Sequence, residues 1–225
     1  MAGQPRRSIV TSLGLLLTAL LLVSFATTSA DGSTSASNAA ERCKRPARGF
    51  VPTYAGIPAI GRSVKVIQVQ RKSNGQIGAG PTTTEGKWLM SMDPKTKPGS
   101  HQGSVLLAGH TWPDGSALGN AMLENLWTGN GIVLSNGDTR ACYRVNRRSS
   151  YPADEVPSSA FRTSGPEQVV VVACSGKRLG PGNWTRRTLW FATPWTPAPP
   201  PEPTSPSPQP SPPPQNCLLC GLLGH

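Results

Sequence analysis

The stretch Val169–Cys174 reads VVVVAC and decides the fold of this chain. Four consecutive valines favour a β-strand, and a run that stays apolar as far as Ala173 is typical of a strand covered on both faces. Further short runs rich in β-branched residues, broken by Gly, Pro, Asn and Ser, are also predicted as strands: Val64–Gln70, Lys87–Met90, Ser104–Ala108, Ile132–Leu134, Ala141–Val145 and Thr188–Ala192. This pattern predicts an all-β domain, either a closed barrel or a sandwich.

Two local patterns predict a helix and a hairpin turn between the strands. Ser116–Leu126 is the one segment with helical periodicity, with apolar residues four positions apart and Asp114 or Ser116 as the expected N-cap. Asn136 and Gly137 separate two predicted strands, and both residue types tolerate positive φ, so a hairpin turn is expected there.

The N-terminal part of the chain differs in composition from the strand-rich region. Ser8–Ala26 is free of charged residues over 19 positions and comes directly after Arg6 and Arg7. A charge-free run of this length behind basic residues predicts a membrane anchor or a cleaved signal peptide over residues 1–30, and either one would export the downstream chain. Residues 31–49 are predicted to form a flexible spacer.

The C-terminal part is rich in proline. Pro194–Pro214 holds 12 of the 24 prolines, so residues 194–225 are predicted to be a disordered, extended tail. Residues 50–193 remain as one domain. It carries 16 basic and 8 acidic residues out of the chain's 22 and 11. Such a balance suits nucleic acid, anionic membrane or acidic wall polymer, but export excludes nucleic acid as a partner.

A cysteine and a histidine each come at the end of an apolar strand. Cys174 ends VVVVAC and is followed by Ser and Gly, where we expect a loop, and His110 ends VLLAGH. The two strand ends are expected to meet at one mouth of the barrel. Lys and Arg occur at 177, 178, 186 and 187, and nearby cations are expected to lower the pKa of the Cys174 thiol. Arg187 is the candidate for stabilising an oxyanion, with Arg186 as the alternative, because adjacent strand residues face opposite ways.

The order His110, Cys174, Arg187 resembles that of the sortases, the cell-surface cysteine transpeptidases of Gram-positive bacteria. The matching motifs are VLLAGHT at Val105–Thr111, VVVVAC at Val169–Cys174 and RRTLWFAT at Arg186–Thr193, supported by IPAIG at Ile57–Gly61 and GSALGNAMLENL at Gly115–Leu126. The actinobacterial class F group, or the neighbouring class E, is the most similar. The resemblance implies a closed eight-stranded β-barrel with one or two short helices, in which Cys174 is the nucleophile, His110 the general acid/base and Arg187 the stabiliser of substrate and oxyanion.

The resemblance also implies a function. A sortase cleaves a Leu-Pro-x-Thr-Gly-like C-terminal sorting signal of surface proteins through a thioacyl enzyme, and passes the acyl group to an amine of a peptidoglycan precursor or a pilin. No cofactor or metal is expected, and the protein is placed at the outer face of the cell membrane or in the cell wall. The sequence departs from the family at Ala173, where many sortases have Thr, and in a segment of only 11 residues at Ser175–Thr185.

Two other functions fit the same residues. One is a non-catalytic surface module that uses a sortase-like barrel to hold anionic wall polymer, and the other is a hydrolase that releases the acyl group to water. Among the remaining cysteines, Cys43 and Cys142 are candidates for a disulfide in an oxidising compartment, whereas Cys217 and Cys220 form an isolated Cys-x-x-Cys without an assigned role. The other histidines, His101 and His225, are expected to be solvated and without partners.

Overall fold

A computed structural model of the chain describes residues 43–73 and 76–197. Within these residues it contains eight β-strands and one α-helix: β1 Tyr54–Ile57, β2 Arg62–Gln68, β3 Met90–Met92, β4 Ser104–Gly109, α1 Leu118–Asn125, β5 Gly131–Asn136, β6 Thr139–Pro152, β7 Gln168–Gly180 and β8 Asn183–Pro194. The strands close into a barrel in the order β1, β2, β3, β4, β7, β8, β6, β5. The expected all-β fold with an eight-stranded closed barrel is therefore confirmed.

Several predictions concern parts of the chain outside the described residues. These are the membrane anchor or signal peptide over 1–30, most of the spacer over 31–49, and the proline-rich tail with Cys217, Cys220 and His225. In the portion that the structure does describe, no helix has the length and apolar character needed to cross a membrane.

The decisive strand β7 is covered on both faces, as its sequence predicts. Val169, Val171 and Ala173 belong to the core inside the barrel. Val170 and Val172 point to the outer face, where a second apolar cluster contains Leu106, Ala160, Leu189 and Phe191 and is covered by the connection from β6 to β7. Because β7 pairs in parallel with β4 and antiparallel with β8, it is also protected along both edges.

Two strand predictions were wrong near the start of the barrel. Lys87–Met90 was predicted as a strand, but Glu85–Trp88 forms a 3-10 turn and β3 covers only Met90–Met92. In this turn the N–H of Leu89 donates to the carbonyl of Gly86, three residues earlier. An extended strand cannot form that hydrogen bond. β1 was missed because four residues containing a glycine carry little intrinsic strand signal; its pairing with β2 and β5 holds it in place.

The helix is shorter than predicted and begins differently. It begins after Ala117, and the predicted N-caps were wrong because Asp114 and Ser116 bond to each other: Asp114 Oδ1 accepts from the N–H and the hydroxyl of Ser116 at 3.0 and 2.7 Å. At the same end, Asn120 Oδ1 accepts from the N–H of Ala117 at 3.3 Å.

Of the two connections predicted between strands, one is confirmed and the other is wrong. The predicted turn is confirmed: Asn136 pairs with Thr139, and Gly137 has a φ of 56°. By contrast, the loop predicted directly after Cys174 is absent, because β7 continues to Gly180 and β8 begins at Asn183. Gly176, with a φ of 78°, lies in a bulge where the register shifts between Ser175 and Arg178, so the strand continues past the thiol instead of ending there.

Buried polar contacts fix the end of the barrel at which β7 begins and β8 ends, remote from Cys174. Glu167 is 4% exposed, and its carboxylate accepts from the N–H groups of Gly99 and His101 at 2.9 and 2.7 Å and from the hydroxyl of Tyr143 at 2.6 Å. His101 is exposed, as expected, but not without partners, since its Nε2 also donates to the carbonyl of Pro46 at 2.8 Å. Burial and the neighbouring carboxylate raise the pKa of Tyr143, so its hydroxyl stays a donor.

The N-terminal segment is joined to the same end. Cys43 and Cys142, the candidate pair, form a disulfide, with Cα atoms 5.2 Å apart and a sequence separation of 99. The N–H of Trp195 donates to the carbonyl of Cys142 at 2.9 Å, so the residue after β8 is held here as well. We call this region, with Glu167, the clamped end of the barrel.

Candidate active site

His110 and Cys174 come directly after the same pair of residues on neighbouring strands. The parallel ladder of β4 and β7 ends with Gly109 opposite Ala173. His110 and Cys174 are the next residue on each chain, so they begin side by side at about the 4.8 Å spacing of paired strands. The structure thus places on neighbouring chains, side by side, the two residues that were predicted at separate strand ends.

Arg187 lies directly opposite Cys174 on the other side. β7 and β8 are antiparallel, and their register pairs Cys174 with Arg187 and Ser175 with Arg186. Directly opposite residues share a face, so Arg187 lies on the face of the thiol and Arg186 on the reverse face. Arg186 is engaged there with Ser150, to whose hydroxyl and carbonyl it donates at 2.8 Å each.

These pairings give a row of four side chains across four strands. Tyr151 on β6 pairs with Arg187 on β8, which pairs with Cys174 on β7, which in turn neighbours His110 at the end of β4. Tyr151 Oη accepts from Arg147 at 3.0 Å. Tyr151 was not predicted, because only the register of β6 against β8 places it in this row.

The row lies on the outer face of the barrel. The prediction that it lies at a mouth of the barrel was wrong. Side chains alternate along β7, and Cys174 shares its face with Val170 and Val172, which belong to the outer apolar cluster. The candidate site is therefore a polar row bordered by an apolar surface on the side of the barrel. The prediction of a mouth assumed that β7 ends at Cys174, whereas the strand continues.

The thiol of Cys174 is half-buried, and its surroundings act on it in opposite directions. Burial raises its pKa, and the positive charge of Arg187 partly offsets this by lowering it. The net pKa is raised, which corrects the expectation that the cluster of cations would lower it. The other basic residues of the hairpin, Lys177 and Arg178, are exposed to solvent, which screens their charge.

The imidazole of His110 is fixed by a main-chain carbonyl. Its Nε2 lies 2.8 Å from the oxygen of Gly80. A carbonyl only accepts, so Nε2 carries the proton, and in the neutral ring Nδ1 keeps the free lone pair. Next to it, Thr111 Oγ1 donates to the carbonyl of Cys174 at 2.7 Å, which ties the two strand ends together behind the site.

The arrangement contains the groups that acyl transfer through a cysteine needs. It has a thiol, an imidazole that can transfer a proton, and a guanidinium on the same face that can stabilise negative charge. Arg187 Nη1 donates to the carbonyls of Trp184 and Arg186 at 3.0 and 2.9 Å, which ties the guanidinium to the backbone of its own strand. Among the described residues, no cluster of three His, Cys, Asp or Glu side chains could hold a metal ion.

Comparison with known proteins gave similar structures but no similar sequences. No protein-family model and no curated protein matches the chain. Sortases are among the similar solved structures. The complex of Streptococcus agalactiae sortase C1 with MTSET has a TM-score of 0.48 and 12% identity, covering 64% of this chain and 69% of that one. Sortase C of Clostridium perfringens SM101 has a TM-score of 0.45 and 17% identity over 66% and 71%, and Listeria monocytogenes sortase A has 0.45 and 16% over 65% and 88%.

Proposed function

We propose that this protein is a cysteine transpeptidase of the sortase type. The observation that carries the proposal is the row in which Cys174 lies between His110 and Arg187 on one face of the barrel. The sequence motifs around these three residues support the same proposal, because they resemble those of sortases in type and in order. The substrate is a surface protein with a Leu-Pro-x-Thr-Gly-like sorting signal, and the second substrate is an amine of a peptidoglycan precursor or a pilin.

In the first half-reaction, Cys174 Sγ attacks a backbone carbonyl carbon of the sorting signal. Because the raised pKa keeps the thiol protonated, its proton must be removed, and Nδ1 of His110 is the free lone pair that takes it. The carbonyl oxygen becomes an oxyanion and is stabilised by the Arg187 guanidinium. When the tetrahedral intermediate collapses, the C–N bond breaks and His110 returns the proton to the departing amine, leaving a thioester on Cys174.

In the second half-reaction, the acceptor amine attacks the thioester. His110 takes a proton from the amine, the new C–N bond forms, and the sulfur of Cys174 leaves and is reprotonated. This is double displacement, so the enzyme ends in its starting state without a cofactor. Water in place of the amine would give hydrolysis with the same residues.

The finer assignments belong to the same proposal. The motifs favour the actinobacterial class F group or class E. Residues 1–30 would export the protein or anchor it, residues 50–193 would form the catalytic domain, and the protein would act at the outer face of the membrane or in the cell wall. Ala173, where many sortases have Thr, contributes no hydroxyl, so we assign no role in catalysis to this position.

The test is the thioacyl enzyme itself. The full chain is mixed with a panel of sorting-signal peptides, and the intact mass of the protein is measured, with Cys174→Ala as the matched control. We expect an adduct of the acyl fragment in the native protein alone. An added amine should convert the adduct to transfer product, whereas hydrolysis only would favour the hydrolase. An adduct on Cys174→Ala, or turnover by that variant, would refute the proposal.

A second candidate is a surface module that binds anionic wall polymer without catalysis. The observation in its favour is the hairpin of β7 and β8, where Lys177, Arg178 and Arg186 are exposed together. Binding by such a surface would weaken with added salt, because it rests on exposed charges. Salt-sensitive polymer binding by a protein whose Cys174 forms no adduct would select this candidate.

A further inference from the structure

A buried serine is connected to His110 through the backbone of one glycine. Gly80 lies in the connection between β2 and β3, which passes over the outer face near the candidate site. Its N–H donates to Ser91 Oγ at 2.7 Å, and its carbonyl accepts from His110 Nε2 at 2.8 Å. The Ser91 hydroxyl and the imidazole are thus joined by two consecutive hydrogen bonds through a single residue.

The position of Ser91 is fixed by the barrel itself. Its neighbours Met90 and Met92 point into the inner core, so Ser91 points to the opposite, outer face. It is 3% exposed, and it lies opposite Ala108 of β4, two residues before His110. β3 is also paired with β2 on its other edge, which leaves the hydroxyl little freedom to move.

Gly80 is held close to this strand. A Cβ built on it would lie 3.1 Å from Ile67 Cδ1 and 3.2 Å from Ser91 Oγ, which is tight contact on the side that faces the barrel. The absence of a side chain therefore lets the backbone of Gly80 approach Ser91 closely enough to form the hydrogen bond. The carbonyl of the same residue is thereby presented to the imidazole.

We propose that Ser91 is a positioning residue, which holds the Gly80 carbonyl so that His110 keeps its proton on Nε2 and its free lone pair on Nδ1. The effect of Ser91 on turnover rests on the proposed function, in which Nδ1 is the base. The effect of Ser91 on the imidazole ring does not depend on the proposed function. Without the hydroxyl, the Gly80 carbonyl is no longer tethered, and the neutral imidazole populates both tautomers.

The variant Ser91→Ala removes only the hydroxyl. Ser104→Ala is a matched control, because Ser104 is also 3% exposed and also accepts one hydrogen bond, from Gln168 Nε2 at 2.8 Å. Ser104 begins β4, at the end remote from His110. Ser91→Thr keeps a hydroxyl and is the rescue variant. A purely structural role of Ser91 would affect the two alanine variants alike and would not involve the His110 ring.

The experiment measures the imidazole directly. The full chain is labelled with ¹⁵N-histidine, and the two ring nitrogens of His110 are assigned with the help of His110→Ala. We expect the native protein and Ser104→Ala to show the Nε2–H tautomer, and Ser91→Ala to show nitrogen shifts that converge, with Ser91→Thr restoring the native values. An Nδ1–H tautomer in the native protein, or an unchanged His110 ring in Ser91→Ala, would overturn the proposal.

Kinetics give the second measurement. With a sorting-signal peptide, we expect kcat of Ser91→Ala to fall roughly tenfold with KM unchanged, since a lost hydrogen bond to a buried group changes a rate by about this factor. If the native protein has no turnover, the proposed function fails, but the tautomer measurement still decides the role of Ser91. If Ser91→Ala does not fold, the tautomer of the native protein and the spectrum of Ser91→Thr decide it.

Discussion

The two ends of the β4–β7 ladder differ in how their polar groups are satisfied. At the clamped end, the Glu167 carboxylate accepts three short hydrogen bonds, and a disulfide holds the N-terminal segment. At the other end, which we call the reactive end, Cys174 is a free thiol, and within residues 43–73 and 76–197 its neighbour on β8, Arg187, bonds only to main-chain carbonyls. The comparison indicates that stability is concentrated at one end of the ladder and chemistry at the other, so mutations at the two ends should have separable effects.

The largest expected effect comes from removing the base at the reactive end. His110→Gln keeps a side-chain N–H for the Gly80 carbonyl but has no group that can take the thiol proton. Turnover of a sorting-signal peptide should fall by about 10²–10⁴-fold, the usual contribution of general acid–base catalysis. Thermal unfolding should change little. A variant that keeps full turnover would show that His110 is not the base.

Arginine substitutions test the assignment of faces at the reactive end. Arg187→Gln should lower kcat/KM by roughly 10²–10³-fold, because it removes the charge beside the oxyanion. It should also slow alkylation of Cys174 at neutral pH: Arg187 lowers the pKa of the thiol, so its loss raises that pKa further and leaves less thiolate. Arg186→Gln is the control and should change neither quantity much. The reverse result would assign the role to Arg186.

The disulfide tests the clamped end. Cys43→Ser with Cys142→Ser opens a link across 99 residues and should lower the free energy of unfolding by about 2–4 kcal/mol. Chemical denaturation measures this, and addition of a reductant to the native protein should have a similar effect. Turnover below the unfolding transition should stay near native. A large loss of activity in a folded double variant would show that the two ends are coupled.

A smaller effect is expected at the buried carboxylate. Tyr143→Phe removes the hydroxyl that donates to Glu167 and leaves the two backbone donors in place. The free energy of unfolding should fall by about 1.5–3 kcal/mol, typical of a hydrogen bond to a charged group, and Tyr151→Phe, which removes an exposed hydrogen bond with Arg147, should cost less. Equal losses in the two variants would argue against a special role of the Glu167 cluster.

The barrel was predictable because its strands carry their own signal. Consecutive valines in β7 and the alternation of apolar residues between the two faces are local features, and they indicated an all-β domain. β1 and β3 were missed or displaced because four-residue and three-residue strands form mainly through pairing with neighbours. The continuation of β7 past Cys174 depends on a bulge at Gly176, and a glycine in the sequence predicts a turn equally well.

The members of the candidate site could be proposed from the sequence, but their geometry could not. Residue type and order pointed to His110, Cys174 and Arg187, whereas the register that places them in one row is a property of the assembled barrel. The direction of the Cys174 pKa could not be read from the sequence, because it depends on burial as well as on the charges nearby. The links through Gly80 and to Tyr151 also required the folded structure, since both join residues from different strands.

The disulfide and the end of β8 give the barrel a definite polarity. Thr196 Oγ1 lies 3.5 Å from the carbonyl oxygen of Cys43, so the described chain enters and leaves the barrel at neighbouring points. From Arg187 to Pro194 the strand rises over seven residues, about 23 Å at the usual spacing. The residues that precede Cys43 and those that follow Thr196 are therefore attached to the barrel at neighbouring points. Because Arg187 lies directly opposite Cys174, the thiol is separated by about this distance along the strands from the points where the described chain enters and leaves the barrel.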